Sequence, residues 1–221
     1  REPAYNRRVL IDLHTHTKSL SWDSTLSPDE LIEREKQAGI DGICLTEHDF
    51  FWDFDAAIEL GKRHDFLVIP AVEINTEDGH VLCFGLEKYV YGMHRWHELA
   101  RHVQEAHGAM IAAHPYRRQM PWDAKHEDDY RHGLEKACLN PAYALCAGIE
   151  VINGRGKAIE NQFSAELCHR LGMPASASSD SHSPGDIGKC ATEFLRPVSC
   201  LEELIVELQA GRFRPVALNA S

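Results

Sequence analysis

Short apolar runs and segments of helical periodicity alternate along the chain. The runs fall at residues 9–13, 42–45, 66–72, 109–113, 147–152 and 174–178, and another short strand is expected near 191–194. Helices are predicted over residues 28–38, 54–64, 93–107, 158–171 and 200–210, with one more inside 130–139. Runs of this length are typical of buried strands, and their alternation with helices predicts a parallel, barrel-like α/β fold.

Local signals set several of these boundaries. Ser27 followed by Pro28 is typical of a helix start, because serine caps the first free amides and proline fits the first turn. Gly39 predicts the end of that helix, since glycine readily takes the left-handed conformation. The turn residues 75–79 separate two apolar runs and predict a β-hairpin, with His80 at the start of the returning strand.

Side chains that commonly bind metals follow directly after these runs. Five runs lead into such residues, which are His14 and His16, His48 and Asp49, Glu73, His114, and Asp180 and His182. In parallel α/β folds the carboxyl ends of the strands meet at one rim, where binding sites form. Each residue alone has an ordinary explanation as a polar strand end, but their shared position predicts one common site.

The first two of these residues, His14 and His16, are spaced so that both could bind one metal ion. In an extended strand His14 and His16 share a face, with about 7 Å between them along the strand. Two imidazoles so placed can bind one metal ion. The alternative for this short motif is a pair of histidines that face solvent or are satisfied by hydrogen bonds.

Composition and charge narrow the function classes. The 221 residues, 43% of them hydrophobic, are predicted to form one domain, 1–221. The net charge of −11 offers no basic surface for a nucleic-acid duplex, and no apolar stretch approaches the length of a membrane span. Seven cysteines without a Cys-x-x-Cys pair, and no signal-peptide pattern at the first residues, predict reduced thiols and a cytoplasmic protein. The oligomeric state is left open.

Four motif blocks, together with a glutamate that closes a strand, carry a family resemblance. In chain order these are Asp12-x-His14-x-His16, Thr46-Glu47-His48-Asp49, the strand-terminal Glu73, His114-Pro115-Tyr116-Arg117 and Ser179-Asp180-Ser181-His182. With these motifs the chain resembles the PHP (polymerase and histidinol phosphatase) superfamily over nearly its whole length. The resemblance implies a distorted (β/α)7 barrel and a site of two or three metal ions that hydrolyses phosphoesters.

The resemblance also implies a set of ligands. His14, His16, Glu73 and Asp180 would hold a first metal ion, and Glu73 would bridge to a second ion held by His80, His114 or both. A third ion would take His48, His182 and Asp23, although a two-residue insertion displaces Asp23 from its usual place. Glu47 stands where the family commonly has aspartate, and we expect it to orient the neighbouring His48, because metal-bound histidines usually need such a partner.

The donor types suggest the chemistry. Mixed nitrogen and carboxylate ligands suit Mn, Fe or Zn better than Mg or Ca. Such ions would lower the pKa of a water, present it to phosphorus as hydroxide and neutralise charge on the phosphoryl oxygens. His182 or Asp49 is expected to assist proton transfer to the leaving oxygen. Arg117 and Arg155 are candidates to hold the substrate phosphate, with ordinary surface arginines as the alternative.

The resulting prediction is a metal-dependent hydrolase of small phosphomonoesters, such as a nucleotide or another phosphorylated metabolite. One alternative is a 5′-to-3′ exonuclease or phosphodiesterase on short nucleic acids, against which the acidic charge counts. Another is a metal-binding module without turnover, against which the complete set of competent ligands counts. Expected partners are a small phosphorylated substrate and two to three divalent ions, with no membrane and no stably bound duplex.

Overall fold

The computed structural model describes residues 8–120 and 127–218. Within them, nine strands form one sheet: β1 Val9–Thr15, β2 Gly42–Leu45, β3 Leu67–Asn75, β4 His80–Phe84, β5 Ala109–Ala113, β6 Gly148–Asn153, β7 Ala175–Ser178, β8 Cys190–Phe194 and β9 Phe213–Ala217. Seven α-helices connect them: α1 Pro28–Gln37, α2 Phe54–His64, α3 Trp96–Glu105, α4 Tyr116–Gln119, α5 Glu127–Cys138, α6 Ala158–Leu171 and α7 Leu201–Gln209.

The strand order brings most carboxyl ends to one rim. The order across the sheet is β7-β6-β5-β4-β3-β2-β1-β8-β9. Pairing is parallel between β1 and β2, β2 and β3, β5 and β6, and β6 and β7. Strand β4 runs antiparallel to both of its neighbours, so its amino end, at His80, lies at the rim where the other strands end.

The sheet curls until its two halves meet. Just beyond the ends of β1 and β7, the His16 amide donates to the Ser181 carbonyl at 3.0 Å. Lower down, the Thr192 hydroxyl on β8 donates to the Ala177 carbonyl at 2.8 Å and lies 3.1 Å from the amide of the same residue on β7. The predicted α/β distorted barrel is therefore confirmed as a nearly closed barrel.

Capping and apolar packing fix the helices around this sheet. The Ser27 hydroxyl accepts from the Glu30 amide at 3.2 Å and Pro28 is the first residue of α1, as predicted. The Asp53 carboxylate caps α2 in the same manner, accepting from the Ala56 amide at 2.9 Å. One apolar cluster joins the strands to α7, a second packs α1 and α2 on the sheet, and a third packs α3, α5 and α6 on it. No helix in the described ranges is long and apolar enough to cross a bilayer.

Some element predictions were wrong in detail. The 93–107 helix is shorter, Trp96–Glu105, because turns occupy the residues before it. The predicted hairpin of β3 and β4 is confirmed, but β8 also pairs antiparallel with β1 and with β9, in a sheet expected to be otherwise parallel. Strand β9 was not predicted, since Pro215 at its centre argues against a strand; it is tolerated because β9 lies at the edge of the sheet, where no neighbour needs the missing amide.

Candidate metal centre

Four side chains from three strand ends converge on the position predicted for the first metal ion. His14 and His16 lie at and just past the end of β1, Glu73 lies near the end of β3, and Asp180 follows β7. Glu73 Oε2 lies 3.3 Å from His14 Nε2 and 3.4 Å from His16 Nε2. Asp180 Oδ1 lies 3.5 Å from each of those nitrogens. Two imidazoles and two carboxylates, all buried, thus face one small volume.

The facing atoms test whether these residues fit a metal ion. His14 Nε2, His16 Nε2, Glu73 Oε2 and Asp180 Oδ1 are buried without a hydrogen-bond partner among the described residues. Each such atom costs about 1–3 kcal/mol when nothing compensates its lost hydration. A single cation accepts electron pairs from all four, and this mixture of nitrogen and oxygen donors suits transition metals. The residues present therefore fit a bound metal ion.

Glu73 is the centre of a wider set. Its Oε1 lies 2.7 Å from His80 Nδ1 and 3.0 Å from His114 Nε2, on the side away from the first group. Its Oε2 also lies 2.8 Å from His48 Nδ1, in a contact that lacks the geometry of a hydrogen bond. Both oxygens of Glu73 are thus surrounded by imidazole nitrogens, which is the arrangement that the predicted bridging role requires.

Asp23 reaches the centre in spite of its displaced position in the sequence. Its Oδ2 lies 3.2 Å from His182 Nε2 and 3.5 Å from His48 Nε2, and the two histidine nitrogens are 3.4 Å apart. The predicted third group is therefore assembled, at the more exposed side of the site.

The predicted ligands also combine across these groups. Within the described chain, four sets of three have donor atoms within 4.8 Å of one another: His16, His48 and His182; His14, His16 and Glu73; His14, His114 and Asp180; and His48, Glu73 and His80. Every predicted ligand except Asp23 belongs to at least one set, so the centre is continuous rather than divided into separate sites.

The two predicted phosphate-binding arginines lie beside this centre. Arg117 donates to Asp180 Oδ2 at 2.9 Å and to the Asn153 side-chain oxygen at 3.2 Å. Arg155 Nη1 lies 2.7 Å from His182 Nδ1 and 4.0 Å from Asp180 Oδ1. Both side chains remain more than one-third exposed, at 35% and 39% respectively, so each still offers N–H groups to a ligand.

A cavity of about 630 Å³ lies elsewhere, at the amino ends of the strands. It is lined by residues that include Val9, Asp41, Phe66 and Leu67. It contains none of the predicted ligands, so its size does not make it the reaction site. The convergence of titratable groups places the chemistry at the opposite rim.

Comparison with known families decides the identity of this arrangement. A family model of the PHP domain matches residues 12–154, more than half of the chain. This chain belongs to the PHP domain family. A second model, described as PHP-associated, matches residues 158–213. Those residues contribute β8, which pairs with β1, so both matched ranges build the same PHP sheet.

Several proteins resemble this PHP domain. It is 35% identical over 71 residues to a DNA polymerase III PolC-type of Oceanobacillus iheyensis, covering 32% of this chain and 5% of that protein. It is 30% identical over 119 residues to the 5′-3′ exoribonuclease Rnm of Salmonella typhimurium, covering 52% of this chain and 36% of that protein. A solved two-domain protein from Bacteroides vulgatus, described as containing a predicted PHP-like metal-dependent phosphoesterase, superposes with a TM-score of 0.65 at 20% identity, over 97% of this chain and 66% of that one. The chain thus spans about a third or less of these two curated relatives.

Sequence reasoning missed Glu150, which supports the histidines of this PHP centre. Glu150 is buried in β6 and its Oε1 lies 3.1 Å from His14 Nδ1. Its Oε2 accepts from the His114 amide at 2.9 Å and from the Asn153 side chain at 3.0 Å. Because Glu150 accepts from Nδ1–H of His14, the free electron pair of that ring is on Nε2, where it is available to a metal ion. A lone carboxylate inside the apolar run 147–152 was the available signal.

Glu47 acts on a different histidine from the one predicted. Its carboxylate accepts from the Ser21 hydroxyl at 2.5 Å and from the Trp52 indole at 2.9 Å, and it also binds the Thr17 amide and hydroxyl. The Ser21 oxygen in turn lies 3.2 Å from His16 Nδ1. Because Ser21 donates its proton to Glu47, its oxygen accepts from His16. Glu47 therefore orients His16 through Ser21, and the prediction for His48 was wrong.

A buried pair of carboxyl groups supports the end of β1. Asp12 Oδ1 accepts from the amides of His14 at 3.2 Å and Ser179 at 3.0 Å, which ties β1 to the segment that carries Asp180. Burial raises the pKa of Asp12 to about 6, and burial with the nearby Asp12 raises the pKa of Glu35 well above its ordinary value. Neither residue was assigned a role from the sequence.

The charges of the centre suit cation binding. Burial alone would raise the pKa of Glu73, but the facing His14 and hydrogen bonds from neighbouring imidazoles hold it well below its usual value. The pKa of Asp180 is held low in the same way, by His14, His16 and Arg117 against the effect of burial. Burial lowers the pKa of His16 to about 3, so this ring is neutral. His14 differs, because three carboxylates outweigh its burial and raise its pKa, which shows how strongly the site favours a positive charge.

Three residues of the PHP site have left-handed backbone conformations. Asp49, His114 and Asp180 have φ values of 56°, 27° and 53°. Such values cost non-glycine residues of the order of 1–3 kcal/mol and persist where the surroundings enforce them. At Asp49 two hydrogen bonds enforce this conformation. The Asp49 amide donates to the Glu73 carbonyl at 2.9 Å, and the Asp49 carboxylate accepts from the Asn75 amide at 3.0 Å. The strands therefore hold these side chains in place at a conformational cost.

Proposed function

We propose that this protein hydrolyses small phosphomonoesters, a finer assignment than the metal-dependent phosphoester hydrolysis of its family. The observation that carries the proposal is a group of four buried donor atoms, without hydrogen-bond partners in the described part of the chain, beside two partly exposed arginines. The proposed ligands are His14, His16, Asp23, His48, Glu73, His80, His114, Asp180 and His182, for two to three ions of Mn, Fe or Zn. When bound, such ions lower the pKa of water and neutralise charge on phosphoryl oxygens.

The side chains of the protein have separate roles in this proposal. Arg117 and Arg155 hold the nonbridging oxygens of the phosphate through their free N–H groups. Water attacks phosphorus, the bond between phosphorus and the ester oxygen breaks, and the leaving oxygen takes a proton. Asp49 delivers that proton, or His182 does so in a state where its Nε2 is not a metal ligand. Burial raises the pKa of the Asp49 carboxyl, which favours its protonated form more than in free aspartate.

His182 supports a role for Arg155 toward substrate. The Nδ1 atom of His182 lies 2.8 Å from the Asp180 carbonyl oxygen, to which it donates when Nε2 serves as a ligand. In that tautomer Nδ1 has no free electron pair for the Arg155 N–H group that lies 2.7 Å away. The guanidinium must then find another acceptor, and a substrate phosphate next to His182 provides one.

A second candidate is 5′-to-3′ cleavage of short nucleic acids. The similarity to an exoribonuclease over about half of this chain favours it. The net charge of −11 counts against long polymers, because polymer binding depends on cationic contacts to many phosphates.

The location that we propose is the cytoplasm, since all seven cysteines are free. Burial raises the thiol pKa of Cys44, Cys83 and Cys190, which keeps these thiols unreactive. One domain over residues 1–221 is part of the same proposal.

Metal content and phosphate release test these candidates together. The protein is purified without chelator, its metals are measured by elemental analysis, and phosphate release is followed on a panel of phosphomonoesters, diesters and short oligonucleotides with added Mn. Two to three ions per chain and release from monoesters support the proposal. Cleavage of oligonucleotides that falls little with salt favours the second candidate. At most one ion and no release would indicate a metal-binding module without turnover.

A further inference from the structure

Two exposed aromatic side chains directly follow or precede residues of the metal centre. Trp22 is 90% exposed and lies between Ser21 and Asp23, while Phe50 is 58% exposed and follows Asp49. Large aromatic side chains bury most of their surface in a folded protein, because water contact with it is unfavourable. An indole left almost wholly in water beside a reaction site therefore suggests a surface that substrate covers.

The backbone that carries Trp22 is held firmly. The Ser24 amide donates to the Ser21 carbonyl at 3.2 Å, so Trp22 and Asp23 occupy the tip of a tight turn. The Ser24 hydroxyl also donates to the His16 carbonyl at 2.9 Å, and the Thr25 amide donates to the His182 carbonyl at 2.8 Å. This turn is fixed to the metal centre on both sides, which reduces the conformational entropy lost when a ligand contacts the indole.

Phe50 is held in a comparable way. The two hydrogen bonds of the preceding Asp49, to Glu73 and from Asn75, fix the left-handed residue from which Phe50 continues. His48, two positions earlier, contacts the carboxylate of Asp23. The segments that carry Trp22 and Phe50 thus meet at one side of the centre.

The charges lie on another side of the same centre. His182 links the two, because Arg155 lies 2.7 Å from its Nδ1 and Asp23 lies 3.2 Å from its Nε2. The groups therefore follow one another in space as the Arg155 guanidinium, the His182 imidazole, the Asp23 carboxylate and then the turn that carries the exposed Trp22 indole. A ligand that fits this order has an anionic group at one end and a flat apolar group at the other.

We infer that Trp22 and Phe50 form a stacking surface for a nucleobase, and that the substrates are nucleoside phosphates rather than sugar phosphates. This inference rests on the proposed phosphoesterase function. Stacking of a base on an aromatic side chain typically strengthens binding about tenfold or more. Trp22 is next to the proposed ligand Asp23, and Phe50 is two positions after the proposed ligand His48, so both rings lie outside the ligand set, which suits a ring separated from phosphorus by a sugar. The ring of an aryl phosphate, which is bonded through the ester oxygen, would instead lie among the ligands themselves.

The first test compares substrates. For the metal-loaded protein and its Trp22→Ala, Phe50→Ala and Trp22→Phe variants, kcat/KM is measured on adenosine 5′-monophosphate, ribose 5-phosphate and p-nitrophenyl phosphate. Trp22→Ala is expected to lower the ratio of adenosine monophosphate to ribose phosphate activity about tenfold or more, and Trp22→Phe by much less. Tyr91→Ala, which removes an equally exposed ring away from the site, is the matched control. An unchanged ratio in Trp22→Ala, or an equal loss on p-nitrophenyl phosphate, would overturn the inference.

The second test does not depend on turnover. Adenosine, which lacks phosphate, is titrated into the wild-type protein and into Trp22→Phe while tryptophan fluorescence is recorded. Quenching in the wild type that Trp22→Phe loses supports the stacking surface, and no difference between the two proteins contradicts it. If no phosphoester is hydrolysed, the proposed function fails and this titration alone decides the inference. If sugar phosphates and nucleotides are hydrolysed equally without quenching, the function stands and the inference fails.

Discussion

Arg117 and Asp180 form a salt bridge that divides the two oxygens of the carboxylate between two tasks. Oδ2 of Asp180 accepts from Arg117 at 2.9 Å and from the Asn153 side chain at 3.1 Å, while Oδ1 faces His14 and His16 and has no hydrogen-bond partner within residues 8–120 and 127–218. The arginine thus orients the carboxylate in addition to any contact that it makes with a phosphate. Its removal should therefore affect metal binding as well as substrate binding.

The first prediction concerns that removal. Arg117→Ala should weaken metal binding by roughly 10- to 100-fold, as is typical when a partner of a metal ligand is lost, because Oδ2 of Asp180 then keeps only the Asn153 side chain as a donor. Competitive titration with a fluorescent chelator measures the affinity. Arg118→Ala is the control, since Arg118 is exposed and binds the Asn75 side chain instead. Equal affinity in both variants would show that Arg117 serves substrate alone.

The second prediction concerns the contact from Glu47 through Ser21 to His16. Ser21→Ala leaves His16 Nδ1 without its acceptor and should also lower metal affinity by roughly 10- to 100-fold. Glu47→Gln should do the same, because an amide nitrogen donates to Ser21 where the carboxylate accepts. Ser199→Ala, on an exposed serine that binds Glu203, serves as control. If both site variants keep the affinity of the control, His16 is oriented by packing alone.

The third prediction concerns metal removal. A chelator should lower the melting temperature, because the four buried donor atoms lose the cation that compensates their dehydration. At a free metal concentration of 100 times Kd the stabilisation is about 2.7 kcal/mol, which corresponds to roughly 5–10 °C for a chain of this size. Asp180→Asn should lose most of this shift. A metal-dependent shift that persists unchanged in Asp180→Asn would place the ion elsewhere.

The fourth prediction concerns pH and the contact between α1 and α2. His64 lies 2.7 Å from Asp29 and 2.9 Å from Glu33, and hydrogen bonds to these carboxylates raise its pKa above 6.5. A raised folded pKa means that the stabilisation is fully present below pH 6.5 and is lost as pH rises through the folded value. The other basic side chains at this contact are Lys36, which donates to the His64 carbonyl at 2.7 Å, and Arg63, which lies 3.6 Å from Asp29.

The corresponding measurement compares melting temperatures of the wild type and His64→Gln at pH 6 and pH 9. The difference between them should be larger at pH 6 and should shrink at pH 9. Lys62→Gln, which removes an exposed pair with Glu59 on the same helix, should show a difference that changes little between these two values. A His64→Gln difference that is constant with pH would show that the ring acts by packing rather than by charge.

The convergence of the proposed ligands could be predicted because these residues occupy a position that the sequence marks clearly. His14, Glu73 and His114 each close an apolar run, and the ends of such runs meet at one rim whatever the details of the loops. His80 belongs to the set for a different reason. It begins the antiparallel β4 after a recognisable hairpin turn, so its amino end lies where its neighbours have their carboxyl ends.

The supporting residues could not be predicted in the same way. Glu47 and His48 are adjacent in sequence, but the Glu47 side chain turns toward Ser21 and Thr17 of another loop, while His48 faces Glu73. Glu150 and Asp12 depend on contacts between strands and segments more than 130 residues apart. Contacts of this kind follow from the closure of the barrel, which no local pattern specifies.

The left-handed backbone at Asp49, His114 and Asp180 has a consequence for selection. Glycine takes these φ angles at little cost, so a lineage or a library selected only for heat resistance should drift toward glycine at all three positions. Such drift would keep the barrel and remove its chemistry. Persistence of aspartate and histidine at these positions would therefore be a record of selection for the reaction rather than for folding.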